Sequence, residues 1–92
     1  MMAVHEDSMI KVSVDYVALI ADLMSKRREI IELPRGSSIK DLINKLVARS
    51  NGLRDILQEI GVIVIVNGLS SKSNKVLNDG DRVVLLPPAS GG

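Results

Sequence analysis

The residues best placed to do chemistry are the last six of the chain, Pro87-Pro88-Ala89-Ser90-Gly91-Gly92. Their reactive group is the chain's own carboxylate. Gly91 and Gly92 carry no Cβ, so the final links fit a channel too narrow for any side chain. Fully extended, the six residues reach about 20 Å at ~3.3–3.6 Å each. That is enough to carry the Gly92 carboxylate off a domain and into another protein's pocket. The group is ionised at neutral pH, since its ordinary pKa is about 3.3–3.7.

A reactive end needs a rigid base. Arg82-Val83-Val84-Leu85-Leu86 reads as a strand that runs into the tail without a turn. The two prolines cannot donate to a sheet ladder, so the strand is expected to stop at Leu86.

The totals describe a single small domain. Of 92 residues, 46% are hydrophobic and 25% charged, with a formal net charge of +1, which gives no strong field for nucleic acid or acidic lipid. Tyr16 is the one aromatic residue, so the core must be aliphatic. Cysteine is absent, which excludes disulfides, thiolate metal sites and a cysteine nucleophile. A domain of this size buries roughly 60–65% of its unfolded surface, leaving little room for a deep active site of its own. No apolar run approaches the ~18 residues of a membrane span. Residues 1–8 lack the basic and apolar regions of a signal peptide and read as a flexible extension. A cytoplasmic protein without nucleic-acid or membrane partners is expected.

From Met9, Ile10, Val12, Val14 and Tyr16 alternate with polar residues, the pattern of a half-buried strand. Residues 17–24 read as a connection with a helical turn. Residues 27–33 form a second strand, antiparallel to the first, and Pro34-Arg35-Gly36 breaks it. Ser38 and Asp41 have the spacing of a capping box. Ile39, Leu42, Ile43, Leu46 and Val47 then share one face of a helix over about 38–49. Ser50-Asn51-Gly52 ends it, and a shorter helix follows over 53–60, closed by Gly61. Val62–Val66 is continuously β-branched, as in a strand covered on both faces. Asn67-Gly68 is a turn, 69–75 a loop, Val76-Leu77 a two-residue edge strand, and 78–81 another turn. The order predicts an α+β domain over 9–86, with a mixed sheet of four to five strands packed on one main helix.

Other signals carry less. Lys26, Arg27, Arg28 and Arg35 read as a solvated strand edge, because no aromatic platform accompanies them. His5 has no partner motif. Asp79 and Asp81 flank Gly80 as turn residues bonding their own backbone. Gly36 and Gly61 form no phosphate loop, and no metal site is expected.

The run from Asn78 through Asp79-Gly80-Asp81, the apolar strand, Pro87-Pro88, Ala89, Ser90 and Gly91-Gly92 resembles the end of molybdopterin synthase small subunits, within the ubiquitin-like sulfur carriers. Tyr16-Val17-Ala18, Ile31-Glu32-Leu33-Pro34 with Gly36, Asp41-Leu42 and Val66-Asn67-Gly68 extend the likeness over roughly 9–92. The resemblance implies a ubiquitin-like β-grasp fold. It also implies that an adenylating enzyme related to ubiquitin-activating enzymes uses ATP to activate Gly92. A sulfur donor then converts Gly92 to a thiocarboxylate, and the large synthase subunit takes that sulfur for the dithiolene of molybdopterin. ATP belongs to the activating enzyme, so no permanently bound cofactor is implied. Pro87, Pro88, Ala89, Ser90 and Gly91 are the inserting tail, and Val17, Leu69 and Leu86 a docking patch beside its root. Some relatives have phenylalanine at the positions of Val17 and Leu86, so this patch is smaller. Three other uses of such a tail remain open: an isopeptide-forming modifier acting through Gly92, a sulfur carrier for tRNA thiolation or thiazole synthesis, and an interaction module with an inert tail.

Overall fold

The computed structural model of the chain describes residues 8–88. Alternation of buried and open positions makes Met9–Tyr16 the strand β1, with Ile10, Val12, Val14 and Tyr16 all buried. A short helix, α1 (Leu19–Met24), precedes the edge strand β2 (Arg28–Pro34), which pairs antiparallel with β1. β2 retains Pro34 as its last residue. An edge strand tolerates proline where no ladder donor is required.

The capping box forms as predicted. The Ser38 hydroxyl accepts from the Asp41 N–H at 3.3 Å, and the Asp41 carboxylate accepts from the Ser38 N–H at 2.8 Å. It starts α2 (Ile39–Val47), whose Ile39, Leu42 and Leu46 are buried. Ser50 was expected to help end this helix. Instead it starts the next, α3 (Asn51–Glu59), by accepting from the Leu53 N–H at 3.1 Å. α3 is as long as α2, but only Leu53 on it is fully buried. A Cβ on Gly52 would stand 2.6 Å from a Leu23 methyl, so glycine permits the close approach of α3 to α1.

β3 (Ile63–Val66), β4 (Leu69–Ser70) and β5 (Arg82–Leu86) complete a five-stranded mixed sheet in the order β2-β1-β5-β3-β4. β5 lies in the middle, parallel to β1 and antiparallel to β3. Two expectations are corrected here. β3 is covered on one face only: Val66 is buried, but Ile63 is 36% exposed. The helices cover one side of the sheet and leave the other side of β3 to solvent. The fourth strand is Leu69–Ser70, inside the expected loop, because the Asn67-Gly68 turn folds the chain straight back on β3. Asn67 and Gly68, at φ 51 and 86, both occupy the left-handed region that a tight hairpin turn requires. Val76 makes a single bridge to Ser38, while Leu77 is buried in the core.

The turn after β1 stores strain. The Ile20 N–H closes it on the Val17 C=O at 3.1 Å, and Ala18 sits at φ 55, ψ −128. That is the first central position of a type II′ turn, which favours glycine. Such a conformation costs a non-glycine residue about 1–3 kcal/mol. Glycine would add about 0.4–1 kcal/mol of unfolded-chain entropy. Ala18→Gly is therefore expected to stabilise the domain by about 1 kcal/mol, which thermal unfolding would show as a rise of roughly 4–8 °C.

Candidate functional site

The site is the end of β5, where the tail departs. Two neighbouring strands hold it. Tyr16 and Leu85 form the last pair of the parallel ladder with β1, and Ile63 pairs with Leu86 on β3. One step beyond the β1 ladder, the Val17 N–H donates to the Leu85 C=O at 3.0 Å. Pro87 and Pro88 are half-buried as the chain leaves the sheet. Ala89, Ser90, Gly91 and Gly92 lie outside the described residues.

The other end of β5 is fixed by a polar knot. The Asp81 carboxylate, in a residue only 8% exposed, accepts from the Asn78 N–H at 2.8 Å and the Asn67 side-chain amide at 2.9 Å. The Asn67 side-chain oxygen accepts from the Arg82 N–H at 2.9 Å, and the Asn67 N–H donates to the Arg82 C=O at 2.8 Å. The Ser13 N–H donates to the Asp81 C=O at 2.9 Å. Together these bonds set the register of β5 against both β1 and the β3–β4 turn. Asp81 bonds its own turn, as expected. Asp79 does not: its carboxylate accepts from the Lys11 N–H on β1 at 2.7 Å.

The docking residues proposed from sequence are only partly brought together. Val17, 40% exposed, lies level with Leu86 beside the tail root. Leu69 is 72% exposed and registers with Val66 in the edge strand β4, separated from β5 by the whole of β3. The ladder therefore gives Leu69 no pairing with Val17 or Leu86. In its place it sets Ile63 directly beside Leu86 and Ile65 beside Val84, on the face without helices. This apolar strip was hidden in the sequence, because Val62–Val66 reads equally well as a doubly covered strand.

Charge is neutralised locally around this face. Asp15 takes Arg28 at 2.7 Å and Arg82 at 3.0 Å, tying β1 to β2 and β5. The bond to Arg28 holds the Asp15 carboxyl below its ordinary range, with Arg82 adding to the effect against the cost of burial. The basic run at β2 is thus partly ion-paired, with Lys26 also 3.5 Å from Glu29. Among the described residues, no group of three or more His, Cys, Asp or Glu could hold a metal ion, and no helix is long and apolar enough to cross a membrane.

The model of the ThiS family matches residues 14–92. The chain belongs to the ThiS family. It is 32% identical over 85 residues to the molybdopterin synthase sulfur carrier subunit of Mycobacterium tuberculosis, covering 91% of this chain and 100% of that one. The fold is shared with small archaeal modifier protein 1 of H. volcanii, at TM-score 0.76 and 19% identity over 87% of this chain and 99% of that one. It is shared too with a chain in the complex of subunits 1 and 2 of the molybdopterin-converting factor from Helicobacter pylori, at TM-score 0.61 and 24% identity, with 90% and 100% covered. The ubiquitin-like β-grasp architecture expected from the resemblance is therefore the observed one.

In this ThiS-family chain, the single tyrosine reports on the β1–β2 side of the site. The Tyr16 hydroxyl donates to Glu29, which also accepts from Arg49 at 3.1 Å. Burial, and then the Glu29 hydrogen bond, push the Tyr16 phenol well above its ordinary value of 10.0. Burial pushes Glu29 up as well, but Tyr16, Arg49 and Lys26 outweigh it and leave the carboxyl below its ordinary value. A raised folded-state pKa means a stabilisation fully present below about pH 10 and lost as pH climbs through the folded value. Because the chain has no tryptophan, ultraviolet titration follows Tyr16 alone. The folded protein is expected to show no phenolate at pH 10, where the urea-unfolded chain is half-ionised. Tyr16→Phe is expected to flatten the alkaline fall in stability.

Proposed function

We propose that this chain is the sulfur-carrying small subunit of a molybdopterin synthase, acting in the cytoplasm, with Gly92 as the carrier. The observation that carries the reading is the glycine-ended tail placed directly after the central strand of a ThiS-family domain. The whole-length likeness to a curated sulfur carrier subunit supports it. A carboxylate oxygen of Gly92 attacks the α-phosphorus of ATP on an adenylating enzyme, and pyrophosphate leaves. The resulting acyl-adenylate is a mixed anhydride. A hydrosulfide-equivalent donor adds at its carbonyl carbon, AMP departs, and Gly92 holds a thiocarboxylate. No side chain of the carrier acts as a base, because the carboxylate is already ionised. When the large subunit takes the sulfur for the dithiolene, water restores the carboxylate oxygen.

For docking, we assign Val17 and Leu86, joined by Ile63, as the apolar rim around the tail root, with Leu69 a separate contact on β4. The H. pylori neighbour, solved as a complex of subunits 1 and 2, supports a large-subunit partner of this kind.

The test is affinity purification of the tagged chain from its native host, followed by identification of its partners. Recovery of a large synthase subunit is the expected result, with strongly reduced recovery for Leu86→Glu. Recovery only of target proteins joined to Gly92 through lysine isopeptides would instead establish the modifier reading.

A further inference from the structure

Among the described residues no further strand pairs with the outer edge of β2, and that edge carries a self-complementary pattern unrelated to the tail. At the two ends of the β1–β2 ladder, the Tyr16 N–H donates to the Arg27 C=O and the Arg35 N–H donates to the Ser8 C=O. Odd-numbered residues of this stretch therefore turn their backbone groups toward β1. In an antiparallel ladder the alternate residues, Arg28, Ile30 and Glu32, must point theirs away from it. Lys45 confirms this by donating to the Glu32 C=O from outside the sheet at 2.7 Å. All three side chains are exposed, Ile30 at 61%.

We propose that β2 pairs antiparallel with β2 of a second copy of this chain, on a two-fold axis through Ile30. In this register Ile30 faces Ile30 of the second copy, and Arg28 faces Glu32 of the second copy on both sides of the axis. Each outward pair can exchange N–H and C=O bonds. The Glu32 carbonyl has a second lone pair, so Lys45 need not leave. Opposite charges set directly across strands are favourable, and like charges are unfavourable. Moving the strand by two residues would instead place Ile30 against Glu32 or Arg28, so charge and apolar matching select one alignment. Pro34 has no N–H and limits the run. An isologous contact of this kind closes as a dimer and does not propagate. β2 lies two strands from β5, about 10 Å away, so the dimer leaves both tails free.

The native chain has no cysteine, which makes the register testable with single substitutions. Directly opposed residues of a bonded pair have Cα atoms about 5.5 Å apart, within the ~4.4–6.8 Å that a disulfide spans. Under glutathione oxidation, Ile30→Cys is expected to form covalent dimers at least about tenfold faster than Glu32→Cys, because only residue 30 meets itself. In sedimentation of the cysteine-free chain, Arg28→Glu is expected to weaken self-association about tenfold, and Arg28→Glu/Glu32→Arg to return it to within about threefold of wild type; these sizes follow from turning two favourable cross-strand charge pairs per dimer into two like-charge pairs, and back. Neither variant restores the Arg28 bond to Asp15 within one chain, so the recovery reports on the interface. Circular dichroism checks that each variant is folded. Concentration-dependent amide shifts at Arg28, Ile30 and Glu32 test the wild-type protein directly. A wild-type chain that remains monomeric at all concentrations, equal cross-linking at positions 30 and 32, or a double variant as weak as Arg28→Glu would each overturn the proposal.

Discussion

Asp81→Ala will destabilise the domain by about 3 kcal/mol and lower its melting temperature by roughly 15 °C. The carboxylate is buried and accepts from two donors, the Asn78 N–H and the Asn67 amide. Removing it leaves both without that acceptor, in a place that water reaches poorly. Hydrogen bonds to a charged group contribute about 1.5–3 kcal/mol each, and not additively. Asp79→Ala is the internal comparison. Asp79 is exposed and accepts one bond, from the Lys11 N–H, so its loss should cost only about 1 kcal/mol. Urea unfolding of the two variants measures the difference. It also tests the architecture of the site, because the Asp81–Asn67 knot sets how far β5 reaches before the chain leaves the sheet. Similar losses for the two variants would mean that the β5 register is held elsewhere.

Gly91→Val will separate function from folding. Gly91 lies five positions after Leu86, the last residue of β5, and has no side chain whose packing could be lost, so stability should change by no more than about 0.5 kcal/mol. Loading of Gly92 should nevertheless fall by about a hundredfold or more. A β-branched side chain widens the tail at the link that, in the proposed mechanism, enters the activating enzyme, and displacing a reacting group by about 1 Å can cost a factor of that size. Ser90→Ala, one link earlier and no larger, should load within a few-fold of the parent. The measurement is the rate of ATP-dependent acyl-adenylate formation with the cognate adenylating enzyme. Equal rates for Gly91→Val and the parent would remove the steric argument for the glycine pair.

Which parts could be read from sequence follows from how local their causes are. The strict alternation from Ile10 to Tyr16 and the Ser38/Asp41 capping box act within a few residues, and β1 and α2 form where those signals place them. Ser50 was ambiguous for a physical reason: the same small polar residue can follow one helix or cap the next, and only the bond to the Leu53 N–H decides. β4 was illegible because a two-residue strand has no periodicity, and its partner β3 creates it. The continuous β-branched run at Val62–Val66 identifies a strand but not how many faces are covered. That depends on where α2 and α3 lie.

The candidate site divides in the same way. The chemistry proposed for the tail can be read without tertiary structure, because it needs only small residues and a carboxylate. Asn67 was visible only as a turn residue, although its side chain joins Asp81 and Arg82 across 14 and 15 positions. Ile63 was hidden for the same reason, since its place beside Leu86 exists only in the β3–β5 ladder. Leu69, grouped with Val17 and Leu86 by family likeness, is separated from them by strand order.

The central claim is that Gly92 itself carries the sulfur through its α-carboxylate. The most direct measurement is intact-protein mass after incubation with the cognate adenylating enzyme, ATP and a sulfide source, for the parent chain and for a variant with one alanine added after Gly92. The expected result is a parent mass shifted by the replacement of one oxygen with sulfur, located by fragmentation at Gly92, and an extended variant left unchanged. Sulfur incorporation into the untrimmed extended variant at the parent rate would contradict it.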